Sequence, residues 1–296
     1  MVQDRPLLGI GLMIGFCVTA PSADAAAKLL TGSIPILMFL AVRFGAQAVI
    51  LWPVLLWRRT PLSLPPGYLR LVLIRVLLHI AGIAAMFAAL THLPLADAVA
   101  IAFVMPFIML LLGHYVVGEE VGWRRLAACA VGFTGTLMVI QPSFAEVGLP
   151  ALYPVLAAIV FALFMLVTRR IAKETDAVAV QTLSGLIAAP VVLLAALAGL
   201  PGGGLVVPTW GEAWLLVAVG ILGTSGHLLM SLALRYAPSS TLAPMQYLEI
   251  PFATLIGWLV FRDLPDGLAA VGIGVTISSG LYVIYREQQL AAQASR

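Results

Sequence analysis

Charge is scarce in this chain: only 10% of its 296 residues are Asp, Glu, Lys or Arg, and the mean hydropathy is +1.07. A soluble protein carries about 25% charged residues, so the deficit excludes water-soluble domains. Disorder is excluded by the same numbers, because it needs low hydrophobicity and high charge. Cysteine is almost absent too. Cys17 and Cys129 sit in apolar runs with no second Cys or His at metal-ligand spacing, which makes them small packing residues. No metal and no cofactor is expected. A glycine loop that cradles phosphate ahead of a Lys-bearing helix is missing as well, which argues against an ATP-driven pump. Gly223-Thr224-Ser225-Gly226 has the form of an intramembrane serine nucleophile, but no histidine follows His227 to serve it. The chain is therefore not read as an enzyme.

What is present is apolar: 62% of the residues. A membrane-spanning helix needs about 20 of them. Runs bounded by charge, Pro or Gly predict ten spans, at 7–27, 34–57, 70–90, 95–117, 123–141, 150–171, 177–199, 210–234, 239–261 and 265–285. The first run, with Arg5 before it and Ala23-Asp24-Ala25 after it, resembles a cleavable signal. Its weakly positive start and its place in the repeat described below favour a retained first helix. The net charge of +3 is explained by topology rather than by nucleic acid. Arg5, Arg58, Arg59, Arg70, Arg124, Arg125, Arg169, Arg170, Lys173, Arg235, Arg286 and Arg296 share one side, against Lys28 and Arg262 on the other. That bias predicts a multi-pass protein of the inner membrane with both termini cytoplasmic.

The chain also repeats itself. Ala89-Leu90-x-x-x-Pro94 returns as Ala233-Leu234-x-x-x-Pro238, and Pro106-Phe107 returns as Pro251-Phe252. Leu126-Ala127-Ala128-x-x-x-Gly132 returns as Leu268-Ala269-Ala270-x-x-x-Gly274, and the acidic pair Glu119-Glu120 has its counterpart in Asp263. The predicted halves are 1–145 and 146–296. Five helices per half put the halves in opposite orientations, an architecture of secondary transporters with substrate held at the midplane. The fold class is thus an all-α polytopic membrane protein of two inverted five-helix repeats around a central cavity.

These residues resemble the drug/metabolite transporter superfamily, and within it the EamA-type ten-helix carriers. The likeness covers essentially the whole chain: the run Pro35 to Arg43, the duplicated Ala-Leu motifs, the mid-helix prolines and the acidic positions Glu120 and Asp263. Among these carriers it looks most like the YddG-type amino-acid exporters. The resemblance implies that helices one, three, four, six, eight and nine surround the cavity while five and ten form a scaffold. It also implies export of neutral or aromatic amino acids by alternating access, with another small metabolite or drug as the alternative substrate. A non-transporting membrane scaffold is the reading from a different class, and midplane polar groups argue against it.

A polar group inside lipid is costly and needs an account. Glu249 lies at the centre of the ninth span in Gln246-Tyr247-Leu248-Glu249-Ile250-Pro251. It is read either as a cavity carboxylate for an ammonium or proton, or as hydrogen-bonded packing. His79 lies on the stripe Arg75-His79-Gly82-Met86, and His227 on Thr224-His227-Ser231. Either histidine lines the pathway or simply bonds a backbone carbonyl. Tyr247 and Trp258 lie deep enough to stack on a substrate. The candidate binding residues are therefore His79, Met86, His227, Gln246, Tyr247, Glu249 and Trp258. Arg43 is read either as a functional group that neutralises Asp24 or Glu249 or, preferably, as a structural ion pair, because the basket implied by the resemblance makes the second helix peripheral. Asp97 is read as a helix-start residue. Pro106 and Pro251 are candidate hinges, each expected to free the carbonyl four residues earlier, on Ala102 and Tyr247.

Overall fold

Apolar runs long enough to cross a bilayer become long helices, and their polar punctuation becomes the helix ends. In the computed structural model the described residues are 5–93, 98, 101–118, 122–140, 149–262 and 267–294. Pro94, Asp97, Glu119, Glu120, Asp263 and Arg296, all used in the sequence reading, lie outside them. The first three helices are α1 (Pro6–Leu30), α2 (Ile36–Trp57) and α3 (Tyr68–His92). A short α4 (Met105–Leu112) runs into a π-helical turn, Gly113–Val117, and is followed by α5 (Trp123–Ile140). Then come α6 (Leu152–Ala172), α7 (Ala177–Leu197) and α8 (Trp210–Tyr236). A helical turn at Ser239–Leu242 and a 3-10 stretch at Ala243–Leu248 lead into α9 (Glu249–Phe261), and α10 (Gly267–Ala294) follows.

The starts are written locally. Pro6 opens α1, where its missing N–H costs nothing. Asp176 caps α7 by accepting from the amides of Val178 and Ala179, and Thr209 with Glu212 forms a capping box on α8. Among the described residues six helices, α1, α2, α3, α6, α7 and α8, are long and apolar enough to span a membrane. Val49, Leu77 and Leu194 remain exposed on their outer faces, as lipid-facing residues do.

The predicted fourth and ninth spans are not continuous α-helices. Residues 103–104 form a turn before α4, and the 3-10 stretch precedes α9. Proline is the reason in both: Pro106 stands in the first turn of α4 and Pro251 in the first turn of α9, and neither can donate back into a preceding helix. The expected mid-helix kinks are therefore helix starts.

Packing shows the inversion. α1 packs on α8 as α6 packs on α3; α1 meets α9 as α6 meets α4; α2 meets α8 as α7 meets α3. The remaining close pairs, α2 with α7 and α5 with α10, join equivalent helices of the two halves. Adding five to each helix number maps each of the first six pairings onto another of them and each of the last two onto itself, as a pseudo-two-fold requires. Small residues allow the close approaches. A Cβ at Gly9 would collide with Ala237, one at Gly185 with the backbone of α2, and one at Gly135 with the backbone of α10.

Candidate functional site

Between the halves lies a cavity of about 110 Å³, bordered by α1, α2, α3, α4, α6, α8 and α9. Helices α5 and α10 contribute none of its lining residues and pack on each other. Most of the wall is phenylalanine, methionine and small residues, including Phe16, Phe39, Phe87, Phe161, Met86 and Met165. Four groups interrupt it: Asp24 from α1, Arg43 from α2, His227 from α8 and Glu249 from the start of α9. A largely apolar lining with a few polar points is the ordinary composition of a small-molecule site.

Local structure places each polar group. Glu249 is the first residue of α9 and is only 9% exposed. Arg43 lies over Gly223, the one residue type on α8 whose lack of a side chain leaves room for the guanidinium. Its Nη2 is 3.4 Å from His227 Nε2. Among the described residues Arg43 forms no ion pair with a carboxylate. Asp24 is still near enough for its charge to act on Arg43, and the second helix is not peripheral, because α2 reaches the cavity through Phe39 and Arg43.

The sequence candidates separate into three groups. Met86, His227 and Glu249 border the cavity. His79, Gln246 and Tyr247 lie behind its wall. The His79 ring is held among His227 at 4.2 Å, Phe164 at 4.6 Å and Phe44 at 5.0 Å between centroids. Gln246 directs its amide nitrogen at the sulfur of Met165, 3.0 Å away, and so backs a residue of the wall. Tyr247 is fully buried, stacked on Phe103 with centroids 5.7 Å apart and pressed against Gly132. Trp258 is 39% exposed and does not border the cavity. The hinge candidates Pro106 and Pro251 stand just after the two helix breaks and are not lining residues.

The sequence reading did not gather the aromatic wall or the polar cluster beneath it. Gln47, Arg75, Thr168, Gln181, Ser184 and Ser231 meet away from the cavity and bond to one another. Polar residues inside apolar spans were the available signal for that cluster.

A ten-helix inverted repeat around such a cavity defines a membrane carrier. The chain belongs to the EamA-like transporter family, within the drug/metabolite transporter superfamily: the family profile matches residues 7–141 and again 149–286. It is 31% identical to a riboflavin transporter of Rhizobium johnstonii over 73% of this chain and 70% of that one. It is 26% identical to an S-adenosylmethionine uptake transporter of Rickettsia bellii over 95% of both chains. It is also 24% identical to a pseudopaline exporter of Pseudomonas aeruginosa over 94% of this chain and 95% of that one. A crystal structure with 18% identity superposes with a TM-score of 0.74, covering 93% of this chain and 95% of the other, which shows the shared fold.

Proposed function

We propose that the chain is a secondary carrier that moves a small amphipathic metabolite by alternating access between halves 1–145 and 146–296. The substrate class is a flat or ring-bearing apolar body joined to a group bearing both charges. The observation that carries this reading is the phenylalanine-rich and methionine-rich cavity whose wall holds Arg43 and Asp24 from the first half and Glu249 from the second. An anionic group suits Arg43, an ammonium or sulfonium suits the carboxylates, and the rings accept the apolar body. Relatives named for riboflavin, S-adenosylmethionine and pseudopaline support a metabolite larger than an amino acid. Export of a neutral or aromatic amino acid is the second reading. It is favoured by Phe39, Phe87 and Phe161 on the wall, which suit a single side-chain ring.

In this reading Met86, His227 and Glu249 touch substrate together with Arg43 and Asp24, while His79, Gln246 and Tyr247 position the wall. The breaks ahead of Pro106 and Pro251 are the hinges. Purified protein in proteoliposomes, assayed with labelled S-adenosylmethionine, riboflavin, phenylalanine and tryptophan, is expected to show saturable flux of at least one. Flux of none, from protein shown to be folded and inserted, overturns the proposal. In the same assay Pro106→Ala and Pro251→Ala are expected to lower the maximal rate more than the apparent affinity. Unchanged rates would make the prolines static.

Both termini are proposed to face the cytoplasm of an inner membrane, on the strength of the Lys/Arg asymmetry. The Arg58–Asp176 ion pair at 3.2 Å ties together two loops that this topology places on that side. A reporter fused at the C-terminus is expected to be active only if it matures in the cytoplasm. Activity of a periplasmic reporter there overturns the orientation.

A further inference from the structure

Arg75 sits on α3, one turn from His79, with none of its surface exposed. Its Nε donates to Thr168 Oγ1 at 3.0 Å and its Nη1 to Ser184 Oγ at 2.7 Å. Its Nη2 donates to Gln181 Oε1 at 2.6 Å and to Ser231 Oγ at 3.4 Å. Every one of these acceptors is neutral, and among the described residues no carboxylate pairs with Arg75. A cation at this depth is costly. A cluster of hydroxyls and amides holds helices together without one, so fastening alone does not account for the charge. Arg169 is a useful contrast, since its Nη1 donates to the Leu234 carbonyl at 2.6 Å and so completes the end of α8.

Two further observations bear on Arg75. A narrow void of about 10 Å³ reaches it, bordered by Thr168, Thr175 and Ser231 and by apolar residues such as Ile171 and Val180. The Thr175 and Ser231 hydroxyls now donate to the Ile171 and His227 carbonyls, and would have to turn from them to meet an anion. Rings stand between this void and the central cavity. His227 borders the cavity, His79 lies against His227, and Phe164 lies 4.6 Å from both the His79 centroid and the Arg75 guanidinium carbon. Two guanidinium groups, Arg43 and Arg75, therefore flank one plug of rings.

We propose that Arg75 is a second anion site, which takes a carboxylate or similar oxyanion of the substrate once the ring plug parts. Arg43 holds that group on one side of the plug and Arg75 on the other, with the hydroxyls of Thr168, Thr175 and Ser231 completing the second site. The existence of the site stands on the cluster alone, whereas its use in alternation rests on the carrier reading.

The test uses the full chain in detergent with benzoate as the probe, reading benzoate affinity from the rise in melting temperature with concentration. Arg43→Gln is expected to retain saturable stabilisation by benzoate. Adding Arg75→Gln is expected to weaken it at least about tenfold. If the double variant does not fold, Arg43→Gln with Arg75→Lys keeps the charge but not the fork and is expected to weaken binding by a smaller factor. Loss of all stabilisation in Arg43→Gln alone overturns the proposal. So does an unchanged affinity after Arg75 is replaced, or a wild-type chain that benzoate does not stabilise. Benzoate binding at Arg75 without flux of any solute in proteoliposomes leaves the anion site standing and the carrier reading fallen. Flux without an Arg75-dependent anion effect does the reverse.

Discussion

Replacing Arg43 with glutamine is expected to lower transport by more than about tenfold without lowering the yield of folded protein. Arg43 is the one cationic side chain among the described residues lining the cavity if His227 is neutral, and it shares that wall with Asp24 and Glu249. It is not consumed by an ion pair among the described residues. Removing one partner of a desolvated, charge-assisted contact costs about 2 kcal/mol or more, and every 1.4 kcal/mol is about tenfold in affinity. Folded yield is expected to hold, because the substitution removes a single 3.4 Å contact to His227 and, among the described residues, no ion pair. Glu249→Gln belongs to the same test and should also depress transport, since it keeps the volume and one acceptor but not the charge. Initial rates at matched protein density in proteoliposomes decide the matter. Wild-type rates in both variants would place the substrate elsewhere.

The second large effect concerns the contacts that hold the halves together. Gly135→Leu and Gly185→Leu are each expected to cost about 3 kcal/mol, seen as lost monodisperse protein and a lower melting temperature in detergent. A Cβ at Gly135 would stand 2.8 Å from the Gly272 carbonyl oxygen, and one at Gly185 would stand 2.9 Å from the Phe44 carbonyl oxygen. Backbone cannot step aside as a side-chain tip can, so α5 must leave α10 or α7 must leave α2. Gly45 and Gly274 have nothing within 4 Å of their built Cβ positions, and leucine there is the control. Equal behaviour of both pairs in the melting assay would mean that these glycines do not set the helix spacing.

Hydropathy made the long helices legible, because α1, α2, α3, α6, α7 and α8 are continuous apolar runs with ordinary ends. It joined the fourth and ninth spans into single helices, since an apolar 3-10 stretch such as Ala243–Leu248 has the same hydropathy as an α-helix. The site was legible to the extent that cost reveals position. Glu249 in the middle of a span stood out, and the structure sets it on the cavity. Trp258 was selected by depth alone. It follows Glu249 by nine residues, which at about 100° per residue puts it on the opposite face of α9. The second helix was placed at the periphery, whereas Phe39 and Arg43 bring it to the cavity. That α2 contributes to the wall is a tertiary fact which no local pattern encodes. The Arg75 cluster draws on five helices, so its members look like scattered polar exceptions until the chain is assembled.

The exchange of partners between halves also governs how the molecule is made. α1 leaves the ribosome before α8 and α9, yet those two helices are its main packing partners. The contact from Cys17 Sγ to the Met245 carbonyl joins positions 228 residues apart. Helices inserted early must therefore wait in the bilayer with their small-residue faces turned to lipid. The first five helices have no complete cavity to close around, because their walls are supplied by helices not yet synthesised. Such long-range closure is slow, and a partly made chain of this design has to be shielded until its second half arrives.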